Sequence, residues 1–167
     1  MNPGTISIIA LAILAAWSDI RTRRIPNALT FTGFVVALAL RALAGFDDVT
    51  AGLLGALLAF GVSVPLFVAR GLGAGDVKLL TACGAFLGPG RLLNALLITA
   101  IVGGLMALIA IVRQGALVRT IRNCGNIVLA TFSPARRADL PTLSSRGAIT
   151  IPYGVPIAIG AVLAWLA

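Results

Sequence analysis

Six apolar runs dominate this chain, at about residues 4–18, 28–45, 50–69, 76–89, 91–112 and 148–167, each approaching or reaching the roughly 20 residues that cross a bilayer. Inside lipid every backbone polar group needs a partner within the protein, so runs of this kind are expected to fold as helices. The expected fold class is therefore all-α, a polytopic bundle of about six transmembrane helices forming one membrane domain over residues 1–167. With 59% hydrophobic and only 11% charged residues, a separate soluble domain is hard to place.

Basic residues set the orientation. None precedes the first run, while Arg21, Arg23 and Arg24 follow it, the reverse of a secretory leader, so the N-terminus is expected outside the cytoplasm. Alternating from there puts residues 19–27, 70–78 and 113–147 on the cytoplasmic side, and these hold all of the 13 Lys and Arg residues except Arg41 and Arg91. The fourth run is short and ends at Pro89 and Gly90. Were it re-entrant, the basic segment 113–147 would move to the wrong face, so it is read as crossing. Within that segment Leu117, Ile121, Cys124 and Val128 recur at helical spacing opposite Arg119 and Arg122, the pattern of a basic helix lying on the inner leaflet. The net charge of +8 thus reflects topology, with membrane lipids as partners and no nucleic acid.

The chemistry open to the chain is narrow. It contains no His, which removes Ser/His/Asp and Cys/His catalysis and His-ligated metals. It contains no Glu either, so acid chemistry falls to Asp19, Asp47, Asp48, Asp76 and Asp139. Cys83 and Cys124 form neither a disulfide framework nor a paired metal motif, and no metal or cofactor is expected. Asp19 closes the first run and Asp76 opens the fourth, which sets both at one membrane depth. Two carboxylates brought together share one proton and can serve as general acid and base toward a peptide bond. Gly71, Gly73 and Gly75 precede Asp76, and glycines there are expected to supply positive φ or to let a substrate strand or helix approach closely.

The pair "SDIRTRRIPN" and "GLGAGDVKLL" resembles the two signature motifs of the type IV prepilin peptidases, membrane aspartic proteases of the GxGD class, and "IPYGVPIAIGA" at 151–161 resembles that family's last-helix motif. The resemblance implies that Asp19 and Asp76 are catalytic. It implies a prepilin-like substrate whose basic leader is cut after a Gly at the cytoplasmic face of the bacterial inner membrane. Gly73, Gly75, Lys78, Pro152, Tyr153 and Gly154 become candidate substrate-binding or supporting residues. Larger members carry a tetracysteine zinc insert and N-methylate the new terminus. This chain has no such insert, so neither zinc nor methyltransferase activity is expected, and the short form resembles the peptidases of tight-adherence or Flp-type pilus systems.

Each feature also has a plainer reading. Asp19 alone would pass for a solvated acid among arginines. Lys78 and Arg41 would snorkel outward. Pro26 and Asn27 would form the turn and cap of the second helix. Pro152, Gly154 and Pro156 would loosen the start of the last helix, as a kink or as a gate. Two other functions fit the composition: a small ion- or proton-coupled transporter using Asp76 and Lys78, and a non-catalytic assembly factor of a pilus or secretion system.

Overall fold

A computed structural model of the chain describes residues 2–69, 71–113 and 151–167, which form helices and no strand. In chain order these are α1 (Pro3–Thr22), α2 (Asn27–Ala42), α3 (Phe46–Val68), α4 (Ala74–Arg113) and α5 (Gly154–Leu166). The chain divides into two compact units, Met1–Gly103 with Pro152–Ala167, and Gly104–Ile151. Of the second unit the described part is the end of α4 and Ile151. The basic amphipathic segment expected at about 113–147 lies, beyond Arg113, outside the described residues.

Helix α1 starts where local chemistry says it should. The Asn2 side chain accepts from the Thr5 N–H at 2.8 Å and Pro3 supplies a preset φ at the first position. It ends at Arg23, which takes a left-handed conformation (φ 54°) and donates its N–H to the Asp19 carbonyl at 2.9 Å. The hydroxyls of Ser18 and Thr22 both donate to the Arg24 carbonyl and hold this uncommon turn for a non-glycine residue. Pro26 then fixes the extended entry to α2.

α5 runs antiparallel to α1. The Trp165 indole N–H donates to Thr5 Oγ1 at 2.9 Å at one end, and Gly154 meets Asp19 at the other. Ile8, Leu11, Ala15, Leu79, Ile157 and Ala161 form the buried centre of this unit. Large apolar side chains such as Trp17, Phe31, Leu57 and Leu97 face outward, an arrangement that costs free energy in water and not in lipid. Three helices, α1, α3 and α4, have the length and apolarity to cross a membrane, while α2 and α5 are shorter apolar helices.

Five helices stand among the described residues where about six were expected, because the fourth and fifth runs fall within one 40-residue element. Unbroken, α4 would be about 60 Å long, roughly twice the hydrocarbon thickness. It is broken at Gly88, where φ 70° and ψ 177° leave the helical region, immediately before Pro89. The break frees two carbonyls. Ala85 would accept from residue 89, a proline without an N–H, and Phe86 from a residue past the break.

Arg41, expected to snorkel outward, fills this gap instead. Its Nε donates to the Ala85 carbonyl at 2.8 Å, Nη2 to Phe86 at 2.7 Å and Nη1 to Asp48 at 3.1 Å. Gly52 makes room for it, since a Cβ there would lie 2.6 Å from Arg41 Cδ. Replacing Arg41 by Met would keep the stem and strip the donors from two part-buried carbonyls. We expect a loss of about 2–4 kcal/mol, read as earlier thermal unfolding in detergent, with Arg41→Lys restoring only part of it.

Small residues bring α3 against α4. A Cβ on Gly55 would press on the Gly84 carbonyl and lie 2.7 Å from Gly88 Cα, and one on Gly84 would lie 2.8 Å from Ala59 Cβ. The backbones themselves are in contact, as small-residue interfaces in membranes allow.

Candidate active site

Asp19 sits in the last turn of α1 and is buried, only 6% exposed, so it is not the solvated acid of the plain reading. Its Oδ2 accepts the N–H of Gly154, 135 positions further along the chain, at 2.7 Å. Gly154 is the first residue of α5, so the carboxylate occupies that helix's positive end, where an anion is favoured. A side chain at position 154 would collide with it: a Cβ would lie 2.9 Å from Oδ2 and 3.0 Å from Asp19 Cβ. Glycine is required here by close approach, and the residue serves as a seat for Asp19 where a loosened helix start was expected.

Asp76 lies in the first turn of α4 and is half-buried. Its Oδ2 accepts the N–H of Gly73 at 3.0 Å, the return arm of a capping box that opens the helix. The carboxylates of Asp19 and Asp76 lie close enough for one charge to act on the other, and Asp76 in turn acts on the Tyr153 hydroxyl. The ends of α1, α4 and α5 therefore gather two acids and a phenol.

The three glycines before Asp76 differ in what they do. None takes a positive φ, which among the described glycines is confined to Gly45 and Gly88. Gly71 meets nothing closer than the Leu66 carbonyl at 3.4 Å from a built Cβ, an ordinary contact. Gly73 caps α4 through its N–H. Gly75 is the close-approach position: a Cβ there would lie 3.3 Å from Ile25 Cβ and 3.6 Å from Ile25 N. That contact lays the "RRIPN" segment on the "GAGD" segment. Lys78 ties them a second time, its Nζ donating to Asn27 Oδ1 at 2.8 Å, while its side chain stays exposed. Asn27 is thus taken by Lys78 and does not cap α2, whose N-cap is Pro26 with no side-chain bond.

Pro152 and Tyr153 lead into α5. The Pro152 carbonyl accepts from Val155 N–H and that of Tyr153 from Ile157 N–H, each at 3.3 Å. The Tyr153 ring lies against Gly103, where a Cβ would fall 3.0 Å from Oη. Sequence reasoning missed Gly103, Arg41 and Gly84. Arg41 carried a signal, a lone cation in an apolar run two helices away from Pro89; the glycines carried none that separates them from the other 17 of the 19. Cys83 is free and buried, a packing residue. Among the described residues no group of three or more His, Cys, Asp or Glu side chains gathers to hold a metal ion.

Residues 6–108 match the family model described as the type IV leader peptidase family, a span that holds both aspartates and well over half the chain. Comparison with curated proteins gave no match, and neither did comparison with solved structures.

Proposed function

The chain belongs to the type IV leader peptidase family, and from that premise we propose that it is an aspartic endopeptidase. It removes the basic leader of a prepilin-like precursor at the cytoplasmic border of the bacterial inner membrane. What supports this reading is that Asp19, buried at the end of α1, lies within reach of the charge of Asp76 at the start of α4.

The proposed cycle needs only this chain's residues and water. The ionised carboxyl of the pair takes a proton from water as the water oxygen bonds to the scissile carbonyl carbon. The carbonyl π pair moves to oxygen, which is met by the proton of the other carboxyl. Collapse breaks the C–N bond, and the departing nitrogen takes the proton that the first carboxyl received from water. Neither a zinc site nor methylation of the new N-terminus forms part of the proposal. The orientation proposed has the N-terminus outside and the aspartate end of the bundle inside, following the arginines after α1. A prepilin of tight-adherence or Flp type is the proposed substrate.

The test is processing of a co-expressed precursor carrying a basic leader, a Gly and an apolar helix. Leader removal is expected with the natural chain and is expected to disappear with Asp76→Asn; unchanged processing by that variant would end the proposal. Rate against pH should be bell-shaped. Activity falls at low pH as the base is protonated and at high pH as the acid loses its proton.

The transporter reading has less support. A proton or ion path needs polar groups in series across the bilayer. The buried polar residues among those described are Asp19, Thr30, Ser63 and Thr99, of which Asp19 alone is titratable.

A further inference from the structure

The dipeptide that opens α5 joins Asp19 to α4. Gly154 holds Asp19 through its N–H at 2.7 Å, which fixes the backbone of the preceding residue relative to that carboxylate. Tyr153 then projects its phenol toward α4, where Gly103 leaves space for it, with Oη 3.0 Å from where a Cβ would be. There the hydroxyl is within reach of the Asp76 charge but makes no hydrogen bond to either aspartate. A half-buried phenol that reaches the charge of Asp76, one residue from the amide that holds Asp19, and bonded to neither carboxylate, keeps its donor for a third group. In a peptidase that is the scissile peptide.

We propose that Tyr153 is a catalytic residue whose hydroxyl donates a hydrogen bond to the scissile carbonyl oxygen as it gains negative charge, resting on the aspartic-peptidase reading above. Two donors then meet that oxygen in the tetrahedral intermediate: the protonated carboxyl of the pair and the phenol. The phenol keeps its proton throughout, so the proton balance of the cycle is unchanged. Its effect is confined to the transition state, where a placed donor counts more than it does toward a neutral carbonyl. Gly103 acts as a positioning residue for it by keeping the ring in register. The arrangement also gives "PYG" a division of labour, with the glycine seating Asp19 and the tyrosine meeting the substrate.

The experiment is steady-state cleavage by the full chain, reconstituted in vesicles, of a precursor with a basic leader, a Gly and an apolar helix. Tyr153→Phe keeps the ring against Gly103 and removes one oxygen. It is expected to lower kcat about 100-fold, with KM within about twofold and the unfolding temperature unchanged. Gly103→Ala, which displaces the hydroxyl without removing it, is expected to lower kcat about tenfold. Wild-type kcat in Tyr153→Phe overturns the inference, as does a loss that appears in KM or travels with a lowered unfolding temperature. Asp76→Asn, run in parallel, separates the two levels. If it is inactive while Tyr153→Phe is at full rate, only the role of the tyrosine falls; if it cleaves normally, the peptidase reading falls with it.

Discussion

Asp19→Asn is expected to fold, insert and retain nearly the stability of the natural chain, and to cleave precursor at least about 10³-fold more slowly. Asparagine has the same shape, and its carbonyl oxygen can still accept the Gly154 N–H that Asp19 accepts at 2.7 Å. What is lost is the ability to exchange a proton, together with the favourable meeting of a charge with the positive end of α5, worth about 1 kcal/mol at most sites. Activity and stability therefore separate in this variant, which a purely structural role for Asp19 would not allow. Asp76→Asn should behave alike, because its amide oxygen can still accept from Gly73 and keep the cap of α4. A residual rate above a tenth of wild type in either variant is incompatible with the dyad. Asp19→Glu is a useful third case: the acid is kept, but one added methylene has nowhere to go against a Gly154 whose own Cβ would already lie 2.9 Å from the carboxylate.

The largest expected effect on stability comes from Gly55→Val. Its Cβ would be driven into the carbonyl of Gly84 and lie 2.7 and 2.9 Å from Gly88 Cα and C, all backbone atoms on a neighbouring helix segment. Flexible side chains can move aside from such a clash; backbone can yield only by separating α3 from α4. Overpacking of this kind costs about 3 kcal/mol or more, and in a membrane the separated faces cannot regain the loss by hydrophobic repacking. The measurement is the folded fraction by size-exclusion chromatography after heating in detergent. Gly84→Ala should lower the same transition, since its Cβ would lie 2.8 Å from that of Ala59. The two substitutions together should cost less than their sum, because either one opens the same contact. Independent, additive losses would mean that the two glycines do not face each other.

How much of this was legible beforehand follows from what each signal depends on. Helix content and the places of Asp19 and Asp76 at helix ends rest on local composition, which a sequence displays directly. The pairing of "RRIPN" with "GAGD" was readable as a shared end of the bundle, but its physical ties were not. The Gly75 contact with Ile25 and the Lys78–Asn27 bond depend on backbone separation and rotamer, which no residue pattern encodes. Gly71, Gly73 and Gly75 look equivalent in the sequence and prove unlike, because a glycine's reason is the neighbour it admits. Arg41 was misjudged since snorkelling is the default for a cation near a helix end, and the carbonyls it meets appear only once Gly88 breaks α4. The count of helices suffered from the same break: Pro89 and Gly90 were read as a boundary, while the chain departs from helical geometry one residue earlier and resumes at once.

The bond between residues 19 and 154 has a temporal side. Ribosomes deliver α1 first and α5 last, so a chain still being made holds both acids long before it holds the amide that orients one of them. Until then Asp19 has no Gly154 amide to accept from, and its carboxylate is held only once α5 docks beside α1.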